Sequence, residues 1–287
     1  MHRFFSFLLS LFLIALGFAI VGDFCHQKTH GFTLQKIVSS KKEISEKSPL
    51  SSQELHSIQK ALNQPFRFLS KGHQCYAFIS QDEKYILKFL RWNKIEPPFW
   101  TEYLPPNWTH KFYQDRKEKK SLDFASYEIA FNELKEETGV LYLHLEKTKF
   151  LNTSLCLYDA IKVRYFLPSD DVEFILQKKV DLFPSYLEKN KKNTEELYSF
   201  FSKLTSLLSL RYQKGIHDSD ISLEYNMGVI DGNPILFDIG NLKKEKESLS
   251  KQDFLQKESK LVQAFLKRKY PEFNLYFEKE LEKESNL

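Results

Sequence analysis

The chain has 287 residues, 42% of them apolar and 28% charged, enough for a sizeable core and too apolar for wholesale disorder. Aromatics reach 15% against only 9 Gly, which excludes collagen-like, glycine-linker and mucin-like chains. A net charge of +4 from 42 basic and 38 acidic residues makes a mixed surface, so no nucleic-acid partner is expected.

Residues 4–22, FFSFLLSLFLIALGFAIVG, carry no charge, and a helix of that length spans roughly 28 Å, close to the hydrocarbon thickness of a bilayer. The layout suits an uncleaved anchor or a secretory signal peptide, and the lack of a clean Ala-x-Ala site favours the anchor. Arg3 flanks one end; Lys28, Lys36, Lys41 and Lys42 flank the other, a bias that turns the long C-terminal part toward the cytoplasm. The other reading is a protein secreted after cleavage, with a mature chain starting near residue 20.

Residues 23–52 are polar and rich in Lys and Ser, and read as a linker. Residues 53–63 have helical spacing, closed by Pro65. From Phe66 to Leu90 the runs FRFLS, CYAFIS and KYILKFL read as three antiparallel strands. Residues 91–120 carry Pro97, Pro98, Pro105 and Pro106 with Trp92, Trp100 and Trp108, and read as an insertion without regular structure. A helix is expected over 121–138, from Ser121 to its stop at Gly139.

Strands are expected around 141–145, 155–166 and 172–180, and another helix begins at Asn190–Asn193 with an apolar stripe through Leu197, Phe201, Leu204 and Leu208. A polar loop leads to a hairpin, MGVI and PILFDIG, about the turn pair Asp231-Gly232. The remainder is amphipathic and helical. The order of elements is α+β, with a strand-rich first half and a helical second half. Cys25, Cys75 and Cys156 are too few and too scattered for a disulfide framework, and no Cys/His cluster has zinc spacing.

Chemistry concentrates in a few places. Leu69-Ser70-Lys71-Gly72-His73-Gln74-Cys75-Tyr76-Ala77 joins the first two strands through one glycine. Lys88 sits on the third strand between Leu87 and Phe89, and Glu128 lies mid-helix in Tyr127-Glu128-Ile129-Ala130, with Glu133 its rival. A helix then leads into Gly215-Ile216-His217-Asp218-Ser219-Asp220, Asn226 follows on the same loop, and the hairpin delivers Asp238-Ile239-Gly240.

In this order the chain resembles the protein-kinase-like superfamily, over roughly residues 66–242, and is closer to compact, atypical, aminoglycoside-phosphotransferase-like kinases than to full regulatory ones. The resemblance implies a bilobal fold: a strand-rich N-lobe over 53–180, with the 91–120 insertion, and a small helical C-lobe over 181–287. It implies an ATP- and magnesium-dependent phosphotransferase attached to a membrane through residues 4–22, with a protein hydroxyl or a small molecule as acceptor. By the same resemblance Asp220 is the catalytic base and Asn226 and Asp238 ligate Mg2+. Lys88 clamps the ATP phosphates, Glu128 pairs with that lysine, and Gly72 belongs to the nucleotide turn.

The sequence departs from the family pattern in several places. One glycine of three survives in the turn, Ser222 replaces the usual lysine, and the gap from Asp220 to Asn226 is one residue longer, leaving Asp218 as a competing base. A pseudokinase, a binding scaffold on the same fold, is the alternative.

Overall fold

The computed structural model describes residues 2–286 apart from 41–43, 47, 49, 99–100, 102, 219–225 and 245–248. The first half contains α1 (His2–Lys28), β1 (Ile44–Ser45), α2 (Ser52–Leu62), β2 (Pro65–Lys71), β3 (Cys75–Ser80), β4 (Tyr85–Leu90) and α3 (Trp92–Ile95). Next come α4 (Pro106–Asn132), α5 (Lys135–Thr138), β5 (Val140–His144), β6 (Lys147–Thr148), β7 (Ser154–Tyr158), β8 (Arg164–Pro168) and β9 (Phe174–Lys178). The rest is β10 (Asp181–Leu182), α6 (Phe183–Asn190), α7 (Thr194–Lys214), β11 (Ile216–Asp218), β12 (Met227–Ile230) and β13 (Asn233–Leu236), then β14 (Leu242–Lys244), α8 (Lys251–Lys269) and α9 (Pro271–Ser285). The fold class is α+β, preceded by an apolar N-terminal helix.

Two compact units share the chain. The first holds residues 1–83, 87–96 and 146–174; the second holds 84–86, 97–145 and 175–287. In the first unit the strand order is β4-β3-β2-β7-β8. β2 runs antiparallel to β3, with a bulge between Phe68 and Ser70, and parallel to β7. One face of this sheet is aromatic: Phe78 meets Phe68 and Phe89, and Phe32 packs edge-on against Tyr76 and Phe78. Phe32 and Ile37, from the stretch that reads as a linker, are therefore buried core residues.

In the second unit an apolar core gathers α6, α7, α8 and α9 with Met227, Val229 and Leu236 of the hairpin. The stripe of α7 expected from the sequence is the buried one, Leu197, Phe201, Leu204 and Leu208. Asn193 caps this helix by accepting the Glu196 N–H at 3.3 Å, and Gly215 ends it in the left-handed region at φ 65°. Residues 106–120, expected to be irregular, form the first half of α4. Pro106 starts that helix at a position where a missing N–H costs nothing, and the run DRKEKK continues it as good helix formers.

α1 extends past the uncharged stretch to Lys28. Leu9–Lys28 has a mean hydropathy of 1.9 and no buried part, so this helix is long and apolar enough to cross a membrane; a signal sequence meets the same criteria. It stops where His30 and Gly31 take positive φ, and a Cβ on Gly31 would sit 2.4 Å from the His26 ring. Only glycine fits there.

Candidate nucleotide and metal site

In the second unit the residues of the hairpin end are held by backbone register. Met227 faces Leu236 across β12–β13, so the next residues outward, Asn226 and Phe237, come together at the open end. The Asn226 carbonyl accepts the N–H of Phe237 at 3.0 Å and of Asp238 at 3.4 Å. Asn226 and Asp238, separate in sequence, are thereby brought side by side, both half-buried. Asp238 Oδ1 accepts the Gly240 N–H at 3.3 Å, a local turn that fixes the carboxylate.

Two buried polar side chains hold this end from behind. Gln177 in β9 donates to Thr138 O at 2.5 Å and Phe237 O at 3.2 Å. Ser126 in α4 donates to Ile239 O and accepts the Leu242 N–H, each at 2.7 Å. Sequence reading missed both. The available signal was a glutamine directly after the apolar run Phe174-Ile175-Leu176, because a buried amide requires partners. Gly228 has a steric reason: a Cβ there would lie 2.3 Å from Val180 Cγ2 and 2.9 Å from Asp181 O, where β10 pairs with β12.

Asp220 lies outside the described residues. The described residues on either side of it are Asp218, buried at the end of β11 opposite Leu242, and Asn226. Beneath β11, Arg211 of α7 and Glu258 of α8 form a 2.8 Å ion pair with both side chains 1% exposed. Burial pushes the Glu258 carboxyl up, against the opposing pull of Arg211 and the weaker one of His217.

Glu128 is exposed on α4. Its rival Glu133, at the end of that helix, pairs with Lys244 at 2.6 Å and is engaged within the second unit. Nearby, Asp123 is buried and its carboxyl is raised to about 6 by desolvation, partly offset by Lys119.

In the first unit Lys88 is half-buried on β4 between the buried Leu87 and Phe89. Phe89 meets Phe78, so strand alternation points Lys88 to the opposite face of the sheet from the aromatic core. Gly72 closes the β2–β3 turn by donating its N–H to Cys75 O at 2.9 Å. A Cβ on Gly72 would meet nothing nearer than 3.5 Å, so this glycine answers no steric demand among the described residues. Arg91, one residue beyond β4, pins the turn by donating to Gly72 O at 2.9 Å and His73 O at 3.1 Å. Sequence reading passed over this arginine.

The donors fit a magnesium ion: an amide oxygen and a carboxylate at one hairpin end are hard ligands of the number Mg2+ takes beside nucleotide phosphates. Among the described residues no cluster of three or more His, Cys, Asp or Glu is arranged for a metal. A cleft of about 630 Å3 in the second unit lies at the other end of the hairpin, lined by Lys203, Asp231, Asn233 and Ile235 among others, away from Asn226 and Asp238.

No protein-family model matches the chain, and no curated protein matches it. Among solved structures, a 2.2 Å crystal structure of WbdD overlaps 77% of this chain at 12% identity with a TM-score of 0.38. A structure described as the bifunctional kinase-methyltransferase WbdD overlaps 75% at 13% identity with a TM-score of 0.36. The overlaps take in 46% and 43% of those proteins, so this chain spans less than half their length.

Proposed function

We propose that the protein is a kinase-like phosphotransferase that uses ATP with Mg2+ and is attached to a membrane through α1. The observation that carries this reading is the pairing of Asn226 and Asp238 at the end of a hairpin that follows a long helix, with Asp220 between helix and hairpin in the sequence. In this reading Asn226 and Asp238 hold the metal, which neutralises charge on the transferring phosphoryl group when bound. Lys88 holds the nucleotide phosphates and Glu128 orients that lysine. Asp220 accepts the proton of the attacking hydroxyl, with Asp218 the competing carboxylate. The backbone of Gly72 leaves room for close approach of a phosphate.

The test uses the full chain in detergent micelles, with ATP labelled on its γ phosphate and transfer to water or to the protein itself as the readout. Asp220→Ala is expected to lower turnover about 100-fold or more, the scale of a general base. Full activity in Asp220→Ala with loss in Asp218→Ala would move the role to Asp218. Nucleotide binding without any turnover in the unaltered chain would favour the scaffold reading.

A further inference from the structure

The first unit gathers three cations where the sequence showed only scattered ones. Lys36 Nζ and the Tyr76 hydroxyl both donate to the carbonyl of Gly31, at 2.5 and 2.8 Å. The Arg91 guanidinium lies over the Tyr76 ring, 5.2 Å from its centroid. Lys71 is the direct cross-strand partner of Tyr76, so the two side chains share a face of the sheet. That face is opposite the one to which alternation assigns Lys88. Lys36, Lys71 and Arg91 thus surround one tyrosine and one glycine carbonyl, apart from the nucleotide-clamp lysine.

No carboxylate among the described residues pairs with any of the three. Arg91 is 8% exposed, and its Nε has no hydrogen-bond partner among the described residues. A charge buried without a counter-charge is costly, and here two further cations face it. Lys36 is held below the usual lysine range by burial and by repulsion from Lys71 and Arg91, which agrees with a cluster lacking its anion. The Lys71 side chain is exposed, so the cluster is open to solvent on that side.

We propose that Lys36, Lys71 and Arg91 form a phosphate-binding site at the root of the N-terminal helix, for either an anionic lipid headgroup or a soluble phosphate ester. Gly31 is three residues beyond Lys28, where α1 ends, which places the cluster at the exit of the apolar helix. Anionic headgroups attract lysines and arginines next to membrane helices. The lipid source rests on α1 spanning a membrane; the phosphate chemistry does not.

Amine acetylation of the full chain, read by mass spectrometry lysine by lysine, tests the site. One arm compares detergent micelles in chloride with micelles in inorganic phosphate at matched ionic strength. The other compares nanodiscs of phosphatidylcholine with nanodiscs containing phosphatidylglycerol. Lys36 and Lys71 should react about tenfold more slowly once the anion exceeds its dissociation constant about tenfold, while the exposed Lys60 of α2 keeps its rate. Protection by inorganic phosphate assigns a soluble ester, and protection by phosphatidylglycerol alone assigns a headgroup. Lys71→Gln, an exposed change that spares the core, should weaken protection of Lys36. Rates at Lys36 and Lys71 that follow Lys60 in both arms, or undiminished Lys36 protection in Lys71→Gln, would overturn the assignment.

Discussion

At the β2–β3 turn a Cβ on Gly72 would meet nothing nearer than 3.5 Å, whereas on β12 a Cβ at Gly228 would run into Val180 at 2.3 Å. The first turn is held by a charged side chain, Arg91, reaching two carbonyls from beyond the neighbouring strand. The second hairpin is held by its own register and by the buried amide and hydroxyl of Gln177 and Ser126. A turn pinned by one side chain needs no glycine for steric reasons. In a hairpin fixed by backbone contacts the register itself brings the residues of the open end together, and here it sets Asn226 beside Asp238.

The largest expected effect breaks the buried ion pair between α7 and α8 in the second unit. Arg211→Met leaves Glu258 as a buried, uncompensated charge and should cost about 3–5 kcal/mol in denaturant unfolding of the full chain. The double change Arg211→Met with Glu258→Leu should recover most of that loss. A single variant within about 0.5 kcal/mol of the parent would contradict a structural role for the pair.

The second effect depends on pH. Asp123, one turn before Ser126 on α4, titrates at about 6 in the folded protein, above its ordinary value of 3.8. A raised carboxyl contributes most below the unfolded value, and that contribution is lost as pH rises through the folded one. Asp123→Asn should therefore match the parent near pH 4 and gain on it up to pH 7.5, by on the order of 2–3 kcal/mol. Equal urea midpoints for the two proteins across that range would refute it.

The smallest effect separates the glycines directly. Gly228→Ala should cost about 1–3 kcal/mol, because β12 must move away from Val180 and Asp181. Gly72→Ala should stay within about 1 kcal/mol, since its backbone suits any residue. Similar costs at both positions would remove the distinction.

Periodicity carried the helices and the hairpin well, since the stripe through Leu197, Phe201, Leu204 and Leu208 is the buried face of α7. It failed at residues 106–120, where prolines and a charge run suggested a loop: one proline starts α4 and the charges lie on an exposed helix. It failed again at Phe32 and Ile37, because a short apolar pair inside a polar stretch has no period, and only the sheet supplies a place to bury it. The supports of the second hairpin, Ser126 and Gln177, act across long sequence separations, and no local pattern announces a bond from α4 to Ile239.

Whether Asn226 and Asp238 hold a metal–nucleotide pair decides the proposed function. A thermal-unfolding titration of the full chain in detergent with ATP, with and without Mg2+, tests it most directly. A ligand at about a hundredfold excess over its dissociation constant adds about 2.7 kcal/mol to the native state, a shift readily seen in Tm. The predicted result is a magnesium-dependent rise that Asp238→Ala abolishes. A rise of equal size with and without Mg2+, or one that survives in Asp238→Ala, would contradict the assignment.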